Sequence, residues 1–103
     1  MNANVSLYLT FKSVGKGGYS HAEFTDLVES SLDKNPELFH KNLPTLCDSI
    51  LLGVYPIADR VEMLEYLMKK EGITANIYNA KVRSIYTILY IVLELGCVVG
   101  VVP

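Results

Sequence analysis

Four carboxylates, Glu23, Asp26, Glu29 and Asp33, recur every three or four residues through a stretch, 20–33, that holds no lysine or arginine. At about 100° per residue they share one helix face, opposite a stripe of Phe24, Leu27, Val28 and Leu32. No basic residue stands three or four positions from any of them on that helix, so local pairing does not account for the cluster. The chemistry open to such a set is electrostatic. It is either a solvated face or a docking surface for a basic partner, since a one-signed patch speeds encounter and rejects wrong partners. Tyr19, next to flexible glycines, is a candidate anchor for the same contact, because tyrosine offers a large ring with a polar tip.

Other combinations are weaker. Gly15-Lys16-Gly17-Gly18-Tyr19-Ser20 has the look of a glycine loop before a helix N-terminus, where backbone amides can cradle phosphate. The Walker pattern is absent, however, and Glu23 and Asp26 would face the anion. A flexible turn is the better reading. His21 and His40 are far apart in sequence, and neither has metal-ligand spacing with Cys47 or Cys97. The adjacency of Ser20 and His21 does not orient a hydroxyl toward an imidazole, and no nucleophile or metalloprotease signature occurs. No catalytic, cofactor or metal residue is therefore expected. The basic neighbourhood is Lys69, Lys70, Lys81 and Arg83, around a turn at Gly72 that resembles a helix–turn–helix. Met68 is bulky where helices must approach closely, so an ordinary αα-corner is expected there.

These residues need elements to hold them. Ser20 and Glu23 form a capping box, which starts a helix at that point. Before it, Val5, Leu7, Leu9 and Phe11 alternate with Ser6, Tyr8, Thr10 and Lys12, a period of two that predicts a half-buried strand. Asn35-Pro36 reads as an N-cap and first helical position for a short helix carrying Leu38, Phe39 and Leu43, ended by Pro44. Thr45 and Asp48 restart the chain as a third helix with Leu46, Ile50 and Leu51, up to Gly53. Tyr55-Pro56 opens a fourth, with Ile57, Val61, Leu64 and Met68 inward and a favourable Glu65–Lys69 pair outward. Thr74 caps a long hydrophobic last helix to about Leu95, with Ile77, Val82, Ile85, Leu89 and Val92 inward. Gly96 stops it, and the β-branched run 97–102 reads as a short strand. The expected fold is α+β and helix-dominated, with terminal strands that pair with each other into a small sheet packed on the helices or extended across a homodimer.

The 103 residues suit a single compact domain, 1–103, with half its residues hydrophobic and a formal net charge of −2. That balance argues against a protein living on phosphate backbones. Two separated cysteines inside apolar runs suggest free thiols and a cytoplasmic setting, and the first residues lack the pattern of a secretory signal. The run 85–102 approaches bilayer length, but Glu94 and the glycines Gly96 and Gly100 count against insertion. The expectation is a small non-enzymatic module that neutralises a basic protein partner, comparable in size and charge to inhibitors, immunity proteins and antitoxins. A DNA-binding regulator and a homo-oligomeric assembly protein are the alternatives.

Overall fold

A computed structural model describes residues 2–73 of the chain. They form four helices in the order α1 (Ala3–Val14), α2 (His21–Lys34), α3 (Pro36–Leu51) and α4 (Ile57–Lys69). No strand occurs among the described residues, which corrects the α+β expectation to a helical architecture. The expected last helix from Thr74 and the strand at 97–102 lie outside the described residues.

The predicted N-terminal strand is α1. Asn2 caps it, its Oδ1 accepting from the Val5 amide at 2.9 Å. The alternation at Val5, Leu7, Leu9 and Phe11 misled because Leu7 and Phe11 also fit a helical stripe, and Val14 completes it at i, i+4, i+7. The structure follows that stripe: Phe11 and Val14 are fully buried, whereas Val5 and Leu9 are 39% and 48% exposed. Hydroxyl residues that would suit a strand are absorbed locally. Thr10 Oγ1 donates to the Ser6 carbonyl and Ser13 Oγ to the Thr10 carbonyl, which lets both sit in a helix.

The second correction is at Pro44, which does not end a helix but lies inside α3. Asn35 caps α3 as expected, its Oδ1 accepting from the Leu38 amide at 3.1 Å, with Pro36 at the first position. Phe39, Leu43, Leu46, Cys47 and Ile50 make one unbroken buried stripe across the proline. Continuity of that stripe outweighs the local cost of a mid-helix proline, about 3 kcal/mol relative to alanine. Part of this cost is recoverable. Pro44→Ala is expected to stabilise the fold by about 1–2 kcal/mol, the gain being reduced by a freer unfolded chain. A lower midpoint of urea unfolding for this variant would show that the proline ring itself supports the core.

α1 and α3 are in close contact and are tied at two places along their length. Near the start of α1 and the middle of α3, Asn42 Nδ2 donates to Asn4 Oδ1 at 3.1 Å and to the Leu38 carbonyl at 2.9 Å, which satisfies a buried amide. Near their ends, Ser49 Oγ accepts from the Gly15 amide at 2.7 Å and donates to the Lys12 carbonyl at 2.9 Å. The Val54 amide donates to the Gly15 carbonyl at 2.9 Å, and the Tyr55 hydroxyl to the Val14 carbonyl at 2.7 Å. The backbones meet so closely that a Cβ on Gly15 would collide with the Ser49 carbonyl oxygen. Between α1 and α3, Phe11 meets Phe39 edge-on at 5.7 Å, and between α2 and α4, Phe24 meets Tyr66 at 6.0 Å. Arg60 of α4 donates from Nη1 to the Leu51 carbonyl at 3.0 Å, satisfying a terminal carbonyl of α3.

Candidate functional site

The acidic helix is held where its sequence places it. Gly17 and Gly18 have φ of 102° and 92°, conformations that side chains rarely adopt, and they turn the chain from α1 into α2. Ser20 Oγ accepts from the Glu23 amide and Glu23 Oε1 from the Ser20 amide, each at 3.1 Å, so the capping box is complete. Phe24 and Val28 are fully buried, with Leu27 and Leu32 half-buried beside them. This leaves Glu23, Asp26, Glu29 and Asp33 exposed on the opposite side. Together with Tyr19, Leu27 and Ser30 they line one open groove of about 630 Å³. All five residues singled out from the sequence are therefore brought to a single surface.

The four charges are not equivalent. Hydrogen bonds from the Ser20 backbone and hydroxyl hold the Glu23 carboxyl below its ordinary value. A carboxyl lowered on folding stabilises the folded state above its unfolded pKa. That contribution is lost as pH falls through the folded value. Glu29 faces α4, where the Tyr66 hydroxyl donates to its Oε1 at 3.4 Å and Lys70 Nζ lies 3.9 Å away. Burial, then the charge of Glu29, its hydrogen bond and Asp26 together push the Tyr66 hydroxyl above its ordinary value. Asp26 and Asp33 have no ion pair or hydrogen bond among the described residues, so they are the charges left for an outside cation. Tyr19 is half-buried against the core, and its amide donates to the Tyr55 hydroxyl at 3.3 Å. It flanks the acids from a fixed position. Tyr66 and Lys70 belong to this edge too, but they come from α4 and the residue that follows it, and no spacing within 20–33 could announce them.

The remaining candidates are kept apart. His21 Nδ1 lies 3.1 Å from Glu62 Oε1, an exposed pair, and its ring meets Tyr66 edge-on at 6.1 Å. His40 Nδ1 lies 2.7 Å from the Pro36 carbonyl, beside Phe39. The two imidazoles sit on different helices with different partners. No group of three or more histidine, cysteine or acidic side chains is arranged to hold a metal ion among the described residues. Cys47 is buried, and loss of solvent, then Asp48, pushes its thiol up to about 12, so it stays protonated at neutral pH. Cys97 lies outside the described residues.

The glycine loop offers little of a phosphate cradle, because most of its amides already donate within the chain. Gly15 donates to Ser49 Oγ, Lys16 to the Ser13 carbonyl, Gly17 to the Val14 carbonyl and Tyr19 to Tyr55. In the basic neighbourhood, Lys69 Nζ pairs with Glu65 Oε1 at 2.6 Å, the i,i+4 contact expected, while Lys70 approaches Glu29. Lys81, Arg83 and the second helix of the expected corner lie outside the described residues. Among the described residues no helix is long and apolar enough to cross a membrane. No protein-family model matches the chain, and neither a curated protein nor a solved structure matches it significantly.

Proposed function

We propose that this chain is a small non-enzymatic protein-binding module that neutralises a basic protein partner through the exposed face of α2, in the manner of an inhibitor, immunity protein or antitoxin. The observation that carries the reading is the shared groove of Tyr19, Glu23, Asp26, Glu29 and Asp33 on a helix fixed at its start by a full capping box. Asp26 and Asp33 supply attraction, Glu29 joins α4 to the rim, and Tyr19 with Leu27 offers apolar contact between the charges. Buried anchors surrounded by charged rims are how such interfaces divide affinity and specificity. A reducing, cytoplasmic setting accords with the free buried thiol of Cys47.

The test is affinity capture from the native host with the wild-type chain and with Asp26→Lys/Asp33→Lys as bait. A basic protein retained by the first and lost by the second, in a salt-sensitive way, is the expected result. Retention of the same protein by both baits would remove the acidic face from the interface. Salt-sensitive capture of duplex DNA would favour a regulator instead.

A further inference from the structure

A second groove of about 440 Å³, with no residue of α2 in its lining, is formed by α1, α3 and the loops that follow them. Its apolar walls are Tyr8, Leu52 and Val54, and its floor is the close approach at Gly15 and Gly53. Leu52 is 87% exposed and Val54 73%, the two most exposed large apolar side chains among the described residues. Such a pair at the end of a helix is unfavourable in water unless something covers it. Polar residues around the groove include Lys12, Lys16 and Asp48. Lys12 already lies over the Tyr8 ring at 5.7 Å, whereas Lys16 makes no ion pair among the described residues.

We infer that this groove is the docking site for the chain's own apolar stretch, 85–102, with the lone carboxylate Glu94 set against Lys12 and Lys16. Three observations select this occupant. The stretch carries no charge but Glu94, so its sequence demands a covering surface as strongly as the groove does. Its reach is sufficient. α4 separates Val54 from Ile73 by 13 helical residues, about 20 Å, and the twelve residues from Ile73 to Ile85 span about 40 Å when extended. The charges are complementary, because a groove with two lysines and one aspartate receives a segment with one glutamate. An intramolecular partner also gains from a high effective concentration that no separate protein shares.

The experiment is amide hydrogen exchange by mass spectrometry on the full chain, reading peptides within 85–102 and, separately, peptides of α1–α4. Leu52→Glu/Val54→Glu places charge in the groove at two exposed positions. Exchange in 85–102 is expected to quicken about tenfold or more, with the core helices unchanged. Lys12→Glu/Lys16→Glu is expected to do the same, and adding Glu94→Lys to restore slow exchange. Equal exchange of 85–102 in wild type and Leu52→Glu/Val54→Glu would overturn the proposal, as would a stretch that exchanges freely in the wild type. A charge swap that leaves exchange fast would overturn the seating of Glu94. Protection that grows with protein concentration, alongside a dimer in sedimentation, would assign the groove to a second copy instead.

Discussion

Gly15→Ala should lower the melting temperature by about 4–40 °C, followed by far-ultraviolet circular dichroism. The expectation runs against local propensity. Gly15 has φ −67° and ψ −11°, ordinary helical values, so an alanine would be favoured by about 1 kcal/mol on backbone grounds alone. What forbids it is the neighbouring chain. The added Cβ would collide with the Ser49 carbonyl oxygen and lie 2.8 Å from both its carbon and its Oγ, and two of these three atoms are backbone. Relief requires α1 to part from α3. That breaks the Gly15–Ser49 hydrogen bond and strains the Val54 amide bond to the Gly15 carbonyl. Overpacking of about 1–3 kcal/mol and the loss of a hydrogen bond that leaves a polar group stranded, about 1–3 kcal/mol, together exceed the propensity gain. For a domain of this size each kcal/mol moves melting by about 4–8 °C. Gly53 reinforces the point, since a Cβ there would lie 2.8 Å from the carbonyl oxygens of both Gly15 and Ser49. A Gly15→Ala chain melting at or above the wild-type temperature would mean that the helices slide apart at little cost.

That contact illustrates which features could be read before the structure and which could not. Signals confined to one turn were legible. The Ser20–Glu23 capping box, the Asn35-Pro36 start of α3 and the Glu65–Lys69 pair each depend on residues at most four apart, and each is formed. The exposed acidic face was legible for the same reason, because helical period alone separates Glu23, Asp26, Glu29 and Asp33 from Phe24 and Val28. Period failed at α1, where Leu7 and Phe11 satisfy two patterns at once and only burial of Val14 with exposure of Val5 and Leu9 decides between them. Local rules failed at Pro44, where a stripe from Phe39 to Ile50, packed on other helices, outweighs the proline. Cross-element pairings had no local signal at all. Ser49 meets Gly15 across 34 positions and Tyr66 meets Glu29 across 37. The second of these matters for function, because it takes Glu29 partly out of the acidic face.

The charges left over set the sharpest expectation for binding. Asp26→Lys/Asp33→Lys leaves the capping box and the Glu29 contacts to α4 intact, and it reverses the sign of the formal net charge, −2 in the native chain. Both side chains are exposed, so melting should move by no more than about 4 °C. Association with a basic partner should slow by about tenfold to a hundredfold at low salt, because steering attraction becomes repulsion. The difference should shrink as salt shortens the Debye length from about 30 Å at 0.01 M to about 8 Å at physiological strength. Phe24→Ala has the opposite signature. Removing a fully buried ring that packs on Tyr66 should cost about 3–5 kcal/mol of stability while leaving the surface charges in place. Stopped-flow association at two ionic strengths, set beside thermal melts of both variants, separates charge from fold. Equal association rates for the wild type and the reversed chain at low salt, with melting unchanged, would mean that water alone faces the acids of α2, and that the partner, if it binds this chain, meets it elsewhere.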